Sequence, residues 1–417
     1  MPSASCSENT AGGAMATVLR IDTEREPRSD GVRRSSDQFG NKLLNLCNTD
    51  QISYDVIFVE GLLDPSNPSL ARYNGDARVF GLIDKAVWKL FGSDLSRYFT
   101  HHGMDVRYFV LESSERVKTM ETVRAFAAFC QDHGIRRRDH ILCVGGGIVL
   151  DVGGLAANLL RRSTACIKIP TTLLGVVDAA VGVKTGVNFR DHKNFLGTYC
   201  APAVVLYDLD LLRTLPHRQI RNGLAEIIKM ISLKSAELTW LLRDSLDSFF
   251  RFPANTNVRE LVEAAIHYMM EELQPNLREH DLKRIVDFGH EFGHPMEVLT
   301  EYELLHGEAV GIGMLISHSI AVQQGLMRKE HFDFFVRMHA ELALPFYHRR
   351  LSGTALVAEL EGIRRHKHGE VNLVALRAPG EPVFIAEVNE DLVLRACEQL
   401  ERLERTHGRS PRREAAG

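Results

Sequence analysis

Short β-branched and aromatic runs alternate with helical patterns from Tyr54 to about residue 215, and this alternation constrains the chain more than any other feature. Residues 54–60, 77–84, 106–112 and 140–144 read as strands, and 117–133 reads as a helix between two of them. Strands joined through helices pair in parallel, with helices on both faces of the sheet. The fourth strand runs straight into Gly145-Gly146-Gly147-Ile-Val-Leu-Asp151-Val-Gly153-Gly154. A glycine cluster between a strand and a helix lets the backbone approach a pyrophosphate, whose charge is favoured at the helix N-terminus. The spacing departs from G-x-G-x-x-G, so a plain tight turn is the competing reading.

From Pro216 the texture changes to long amphipathic helices, over 223–242, 258–273, 290–299, 306–324 and 392–405, with few strand patterns between them. The expected fold class is therefore an α/β Rossmann-like nucleotide-binding domain over 51–215 and a mainly helical metal- and substrate-binding domain over 216–405. With 417 residues, 45% of them hydrophobic, the chain can supply a core to each. Residues 1–50 and 406–417 lack sustained apolar periodicity and read as mobile extensions.

A net charge of −4 and scattered basic residues provide no field for nucleic acid. No apolar run reaches the roughly 18 residues of a membrane span, and the N-terminus shows no signal-peptide pattern. Seven cysteines without a C-x-x-C pair fit a reduced, cytoplasmic protein. Small molecules are the expected partners.

Chemistry concentrates in Asp287-Phe-Gly-His290-Glu291-Phe-Gly-His294-Pro295-Met-Glu and in Leu305-His306-Gly-Glu308. His290 to His294 spell H-E-x-x-H, which on a helix would give two zinc ligands and a general base. Pro295 has no N–H and disfavours helical geometry at His294, so a regular helix through both histidines is not expected. The loop Lys184-Thr-Gly-Val-Asn188-Phe-Arg-Asp-His192-Lys193-Asn194 suits a phosphate, with a solvated loop as the alternative. Glu226 and Lys229 share one face of an otherwise apolar helix.

The succession Gly-Gly-Gly-x-x-x-Asp, Pro-Thr-Thr-Leu, Asp-Ala-x-Val-Gly-x-Lys-Thr-Gly-Val-Asn, Lys-Asn-x-x-Gly, Ala-Glu-Ile-x-Lys, Gly-His-x-Phe and Leu-Leu-His-Gly-Glu-Ala-Val resembles the sugar phosphate cyclases, the family of 3-dehydroquinate synthase. The resemblance spans roughly residues 54 to 400. It implies a homodimeric enzyme using NAD and a divalent metal, usually Zn2+, with Co2+ as an alternative. It places Glu226, His290 and His306 on the metal. Asp84, Glu115, Lys118, Gly146, Gly147, Asp151, Thr171, Thr172 and Asp178 would lie along NAD. Lys184, Lys193, Asn194, Lys229, Asp287 and His294 would be catalytic. Met269, Arg284, His366 and Lys367 would join Lys184, Lys193 and Asn194 around the substrate, with Arg162 reaching a phosphate in the neighbouring subunit. The implied reaction is transient oxidation by NAD, phosphate elimination, re-reduction, ring opening and aldol closure.

Within the family, an apolar Met269 where dehydroquinate-forming members are expected to carry a lysine leaves nothing to pair with a substrate carboxylate. Together with Gly61-Leu-Leu-Asp-Pro-Ser-Asn-Pro and Glu-Glu-Leu-Gln-Pro-Asn-Leu-x-Glu-His, this is similar to members acting on sedoheptulose 7-phosphate, most closely those forming 2-epi-5-epi-valiolone. Glu291, Gly293 and His294 depart from the Gly-His-Ser/Thr-Phe-Ser-Pro expected there, and this keeps the C5 epimer, 2-epi-valiolone, open. Dehydroquinate synthesis and a metal-dependent polyol dehydrogenase are the remaining alternatives.

Overall fold

A computed structural model describes residues 31–36, 42–47, 52–190, 192–251, 254–366 and 371–408. Two units are distinct, residues 1–53 and residues 54–417. In the first, β1 (Gly31–Ser36) and β2 (Lys42–Cys47) pair antiparallel. These two paired segments lie within the stretch read as a mobile extension, 1–50. Backbone hydrogen bonding needs little apolar periodicity, which is why composition misses it.

The second unit opens with β3 (Asp55–Phe58), α1 (Ser69–Asn74), β4 (Val79–Asp84), α2 (Lys85–His101), β5 (Val106–Leu111) and α3 (Met120–Asp132). It continues through β6 (His140–Gly145), α4 (Gly147–Leu159), β7 (Cys166–Pro170), the hairpin β8 (Lys184–Phe189) and β9 (His192–Tyr199), and β10 (Val204–Tyr207). Six strands form one parallel sheet in the order β3-β10-β7-β6-β4-β5. Phe80 and Leu82 of β4 pack with Ile141 and Cys143 of β6 on one face, while Val79 and Ile83 pack with Leu142 and Val144 on the other. Burial on both faces explains why these strands read as continuous apolar runs. From β4 the chain moves outward to β5, then returns to the opposite side of β4 as β6. Ligands of open α/β sheets bind where the order reverses in this way, beyond the carboxyl ends of the strands, and Asp84 and Gly145 stand at those ends.

Helices follow: α5 (His217–Lys234), α6 (Ala236–Ser245), α7 (Thr256–Leu273), α8 (His290–Leu299), α9 (His306–Gln323), α10 (Lys329–Glu341), α11 (Gly353–His366) and α12 (Glu390–His407), with the hairpin β11 (Leu373–Ala378) and β12 (Glu381–Ile385) before the last. The single helix expected over 223–242 is two, because Ser235 leaves helical geometry and its side chain caps Leu238 N. The helix α9 is buried from Gly307 to Ala321 on every side, so it is the axis around which the others pack. None of the described helices is long and apolar enough to cross a membrane.

One expectation fails here. The helix α8 runs unbroken through His290, His294 and Pro295. Pro295 forgoes one backbone hydrogen bond, but tertiary packing holds the turn. Gly289 caps α8 at φ +82°, and a Cβ there would meet Val310 O of α9 at 2.5 Å; one on Gly293 would meet Val310 Cα at 3.2 Å. The close fit of α8 on α9 overrides the local preference of proline.

Candidate active site

Three helices converge on one buried carboxylate. Glu226 of α5 is fully buried, and its Oε1 lies 3.8 Å from His290 Nε2 of α8 and 3.6 Å from His306 Nε2 of α9. All three ligand atoms lie within 4.8 Å of one another. Oε1 has no hydrogen-bond partner, and a buried oxygen facing two imidazole nitrogens without one is what a cation-binding position requires. Two histidines and one carboxylate are a donor set of the kind that catalytic zinc sites use.

The electrostatics agree. Burial opposes ionisation of Glu226 but is outweighed by Lys229, whose Nζ is 2.5 Å from Oε2, and by His306, so the carboxyl is held well below its usual range. Burial pushes His290 toward the neutral form that a metal ligand needs. His306 is raised to about 9, because Glu297 and Glu226 outweigh its desolvation, and its positive charge balances the carboxylates where a bound cation would do so.

Packing fixes this triangle. The first N–H groups of α9 are satisfied from outside the helix ladder: Gly307 N donates to Asn222 Oδ1 of α5 at 2.6 Å, and Leu305 N to Glu308 Oε2 at 3.0 Å. Glu308 is clamped by Arg218 of α5 at 2.9 and 2.7 Å. Asn222 lies one helical turn before Glu226, so the same contacts set the distance from Glu226 to His306.

Glu297 is a functional residue not foreseen in the sequence. It is 3% exposed, and its Oε2 accepts from His306 Nδ1 at 3.0 Å while Oε1 takes Lys193 Nζ of the β8–β9 hairpin at 2.5 Å. A carboxylate behind a metal-binding imidazole fixes its tautomer and orientation. The signal was present: Glu297 is seven residues, two turns, after His290 on the same helix face. Glu297→Gln is expected to weaken zinc binding about 10- to 100-fold. Competition with a chromophoric chelator measures this, and unchanged affinity would show that His306 is held in some other way.

His294, in contrast, is exposed and lies outside the Glu226 triangle, its ring 4.9 Å from that of His290 and 5.8 Å from that of His306. It groups instead with Glu297 and His306. The H-E-x-x-H string is thus helical, yet its two histidines have different places.

At the sheet end, Gly146 caps α4, and a Cβ on it would come within 2.9 Å of Thr172 Cγ2. This bare backbone at a helix N-terminus is a fitting cradle for a dinucleotide pyrophosphate. Thr171 N donates to Gly145 O at 3.0 Å, and Thr172 Oγ1 accepts from Gly175 N at 3.0 Å, which fixes the opposite wall. Asp84 uses its carboxylate to cap α2 through Ala86 N and Val87 N. Lys118 and Asp151 pair at 2.5 Å, and Lys118 also donates to Asn194 Oδ1 at 2.6 Å. Glu115 accepts from Asn188 Nδ2 at 2.8 Å. Residues expected along NAD and residues expected around the substrate are therefore tied together through the β8–β9 hairpin. Burial and Glu226 raise the Asp178 carboxyl, while Lys229 and His306 act in the opposite direction.

Other expected residues are placed as follows. Lys184 pairs with Glu279, which also pairs with Arg284, and Arg284 Nη2 reaches Asp287 at 2.5 Å. Met269 is 4% exposed within the helical core. Arg162 stands exposed beyond the C-terminal end of α4, at φ +61°. Thirteen helical residues, roughly 20 Å, separate it from the glycine turn. His366 ends α11, and Lys367 lies outside the described residues.

Comparison with known proteins agrees with this geometry. The 3-dehydroquinate synthase N-terminal profile matches residues 108–222, and the 3-dehydroquinate synthase C-terminal profile matches 223–365. A 2-epi-5-epi-valiolone synthase from Actinomyces sp is 39% identical over 365 residues, covering 84% of this chain and 96% of that protein. One from Streptomyces hygroscopicus subsp. jinggangensis is 39% identical over 352 residues, covering 82% and 85%. The solved structure of 2-epi-5-epi-valiolone synthase from S. hygroscopicus subsp. jinggangensis 5008, with NAD+ and Zn2+ bound, superposes with a TM-score of 0.83 at 38% identity, over 86% of this chain and 99% of that one. The chain belongs to the 3-dehydroquinate synthase family of sugar phosphate cyclases, and these similar relatives within that family are 2-epi-5-epi-valiolone synthases.

Proposed function

We propose that this chain cyclises sedoheptulose 7-phosphate to 2-epi-5-epi-valiolone with release of phosphate. The observation that carries the reading is the joining of the Glu226–His290–His306 triangle to the glycine turn through a hairpin bearing Lys184, Lys193 and Asn194. A polyol dehydrogenase has no use for that lysine hairpin, whereas a phosphate-eliminating enzyme does. Likeness to the valiolone synthases over more than four-fifths of the chain supports the substrate class.

When bound, NAD takes up and returns a hydride, and a divalent ion, Zn2+ or Co2+, favours loss of a hydroxyl proton. The protein's own part is positioning. Glu226, His290 and His306 hold the ion and Glu297 orients His306. The turn at Gly146–Gly147 receives the pyrophosphate. Lys193 and Asn194 face the sugar phosphate. Lys229 balances the buried carboxylate of Glu226. We place Asp287 and His294 on the substrate side.

We further propose that the enzyme works as a homodimer in a reducing, cytoplasmic setting. Exposed Arg162 is too far from its own glycine turn to serve it and is available to a second copy. Cys143 and Cys166 remain free thiols with sulfurs 3.7 Å apart.

Incubation with sedoheptulose 7-phosphate is expected to release phosphate without net NADH, with NMR identifying the cyclitol. Accumulating NADH would sink the cyclase reading, and conversion of only the dehydroquinate precursor would overturn the substrate. His294→Ser is expected to retain zinc and to change the rate or the proportion of C5 epimers; loss of zinc would make His294 a ligand.

A further inference from the structure

Glu279 is a half-buried carboxylate that the reaction as described does not use. It lies in the segment between α7 and α8, where it pairs with Lys184 at the start of β8 and with Arg284. Arg284 in turn pairs with Asp287, three residues before His290. The segment is anchored to the hairpin a second time, through Tyr199 OH donating to Arg278 O at 2.9 Å. Glu279 adopts φ +55°, a left-handed conformation that costs free energy in a side chain of this size and persists only when surrounding contacts hold it. Burial opposes its charge, yet Lys184 and Arg284 outweigh burial and keep it ionised.

The charges around it are balanced. Lys184 and Arg284 face Glu279 and Asp287, two cations against two carboxylates. The neighbouring cluster holds Lys193, His306 and Glu297, with Glu226 also beside His306. An anion entering the first group must compete with a carboxylate already in place, and the like charges repel. A hydroxyl group meets no such penalty.

We infer that Glu279 sets the charge preference of the substrate site, reserving Lys184 and Arg284 from a substrate carboxylate so that this end of the site takes a neutral hydroxymethyl group. The inference deepens the sedoheptulose phosphate reading and rests on it. Glu279 acts as a specificity residue through the two cations it holds.

The test is calorimetric binding to the NAD- and zinc-loaded enzyme of two seven-carbon sugar phosphates, sedoheptulose 7-phosphate and a 2-keto acid analogue carrying a carboxylate in place of the terminal hydroxymethyl. Glu279→Gln is expected to shift the affinity ratio toward the keto acid by about tenfold or more. Glu279→Asp, which keeps the charge, should hold the wild-type ratio. Melting temperature and zinc content report whether each variant is folded, and Glu279→Ala replaces the glutamine variant if that one is not. An unchanged ratio in the neutral variants, or the same shift in Glu279→Asp, would overturn the inference. Failure of the wild type to bind sedoheptulose 7-phosphate would instead bring down the substrate reading, because the response of keto acid binding to Glu279→Gln stays readable without it.

Discussion

Glu226→Gln is expected to leave the purified protein with little zinc and to reduce turnover by at least about 1,000-fold, the order expected when a transition-state electrostatic element is lost. The substitution keeps the size of the side chain and removes its charge. Two consequences follow from the geometry. The triangle loses its only anionic ligand, and Oε1 is the atom that lies nearest to both imidazole nitrogens. Lys229, 2% exposed at its side chain, loses its partner at 2.5 Å. A buried cation without its counter-ion destabilises by roughly 3–5 kcal/mol. The variant should therefore lose metal and melt earlier, as read by elemental analysis and thermal unfolding. Full zinc occupancy with only a stability loss would remove Glu226 from the ligand set.

Gly307→Ala should have the largest effect on stability among single-methyl changes. A Cβ at this position would fall 1.9 Å from Asn222 O and 3.0 Å from Asn222 Oδ1. Backbone cannot yield as a side chain tip can, so α5 and α9 would have to part. Overpacking of this kind costs typically 1–3 kcal/mol. Here the cost has a functional component, because the contact that is pried open joins the helix of Glu226 to the first turn of the helix of His306. We expect both a lower midpoint in chemical denaturation and weaker zinc retention. Loss of stability with unchanged zinc affinity would mean that the triangle is set by α8 rather than by the α5–α9 contact. Gly325→Ala is a useful control, since nothing lies within 4 Å of a Cβ there and only its φ of +69° is strained.

Particular residues show what was legible in the sequence. Much of the parallel sheet was, because β4 and β6 are buried on both faces and their apolar runs have no other use. The break at Ser235 was not, since apolar residues continue on both sides of it, and Ser235 with its side-chain cap opens a second helix. The continuity of α8 through Pro295 was misread for the opposite reason. Proline acts locally, and the glycine-mediated contact of α8 with α9 acts through tertiary structure.

The sequence by itself determined which groups are available to do chemistry: a glutamate and a lysine three apart on one helix face, histidines opening two later helices, and a glycine turn after a strand. Side-chain type and helical period are local properties, and a single chain displays them. Only the tertiary structure decided which of these meet. It took His290 into the Glu226 triangle and left His294 outside, although the two are one turn apart on one helix. It also recruited Glu297 behind His306 and Glu279 between Lys184 and Arg284. Buried charges are stable only when paired, and pairing across 104 residues from Lys193 to Glu297, like the more exposed pairing across 95 from Lys184 to Glu279, depends on how helices and hairpin pack and leaves no period in the sequence.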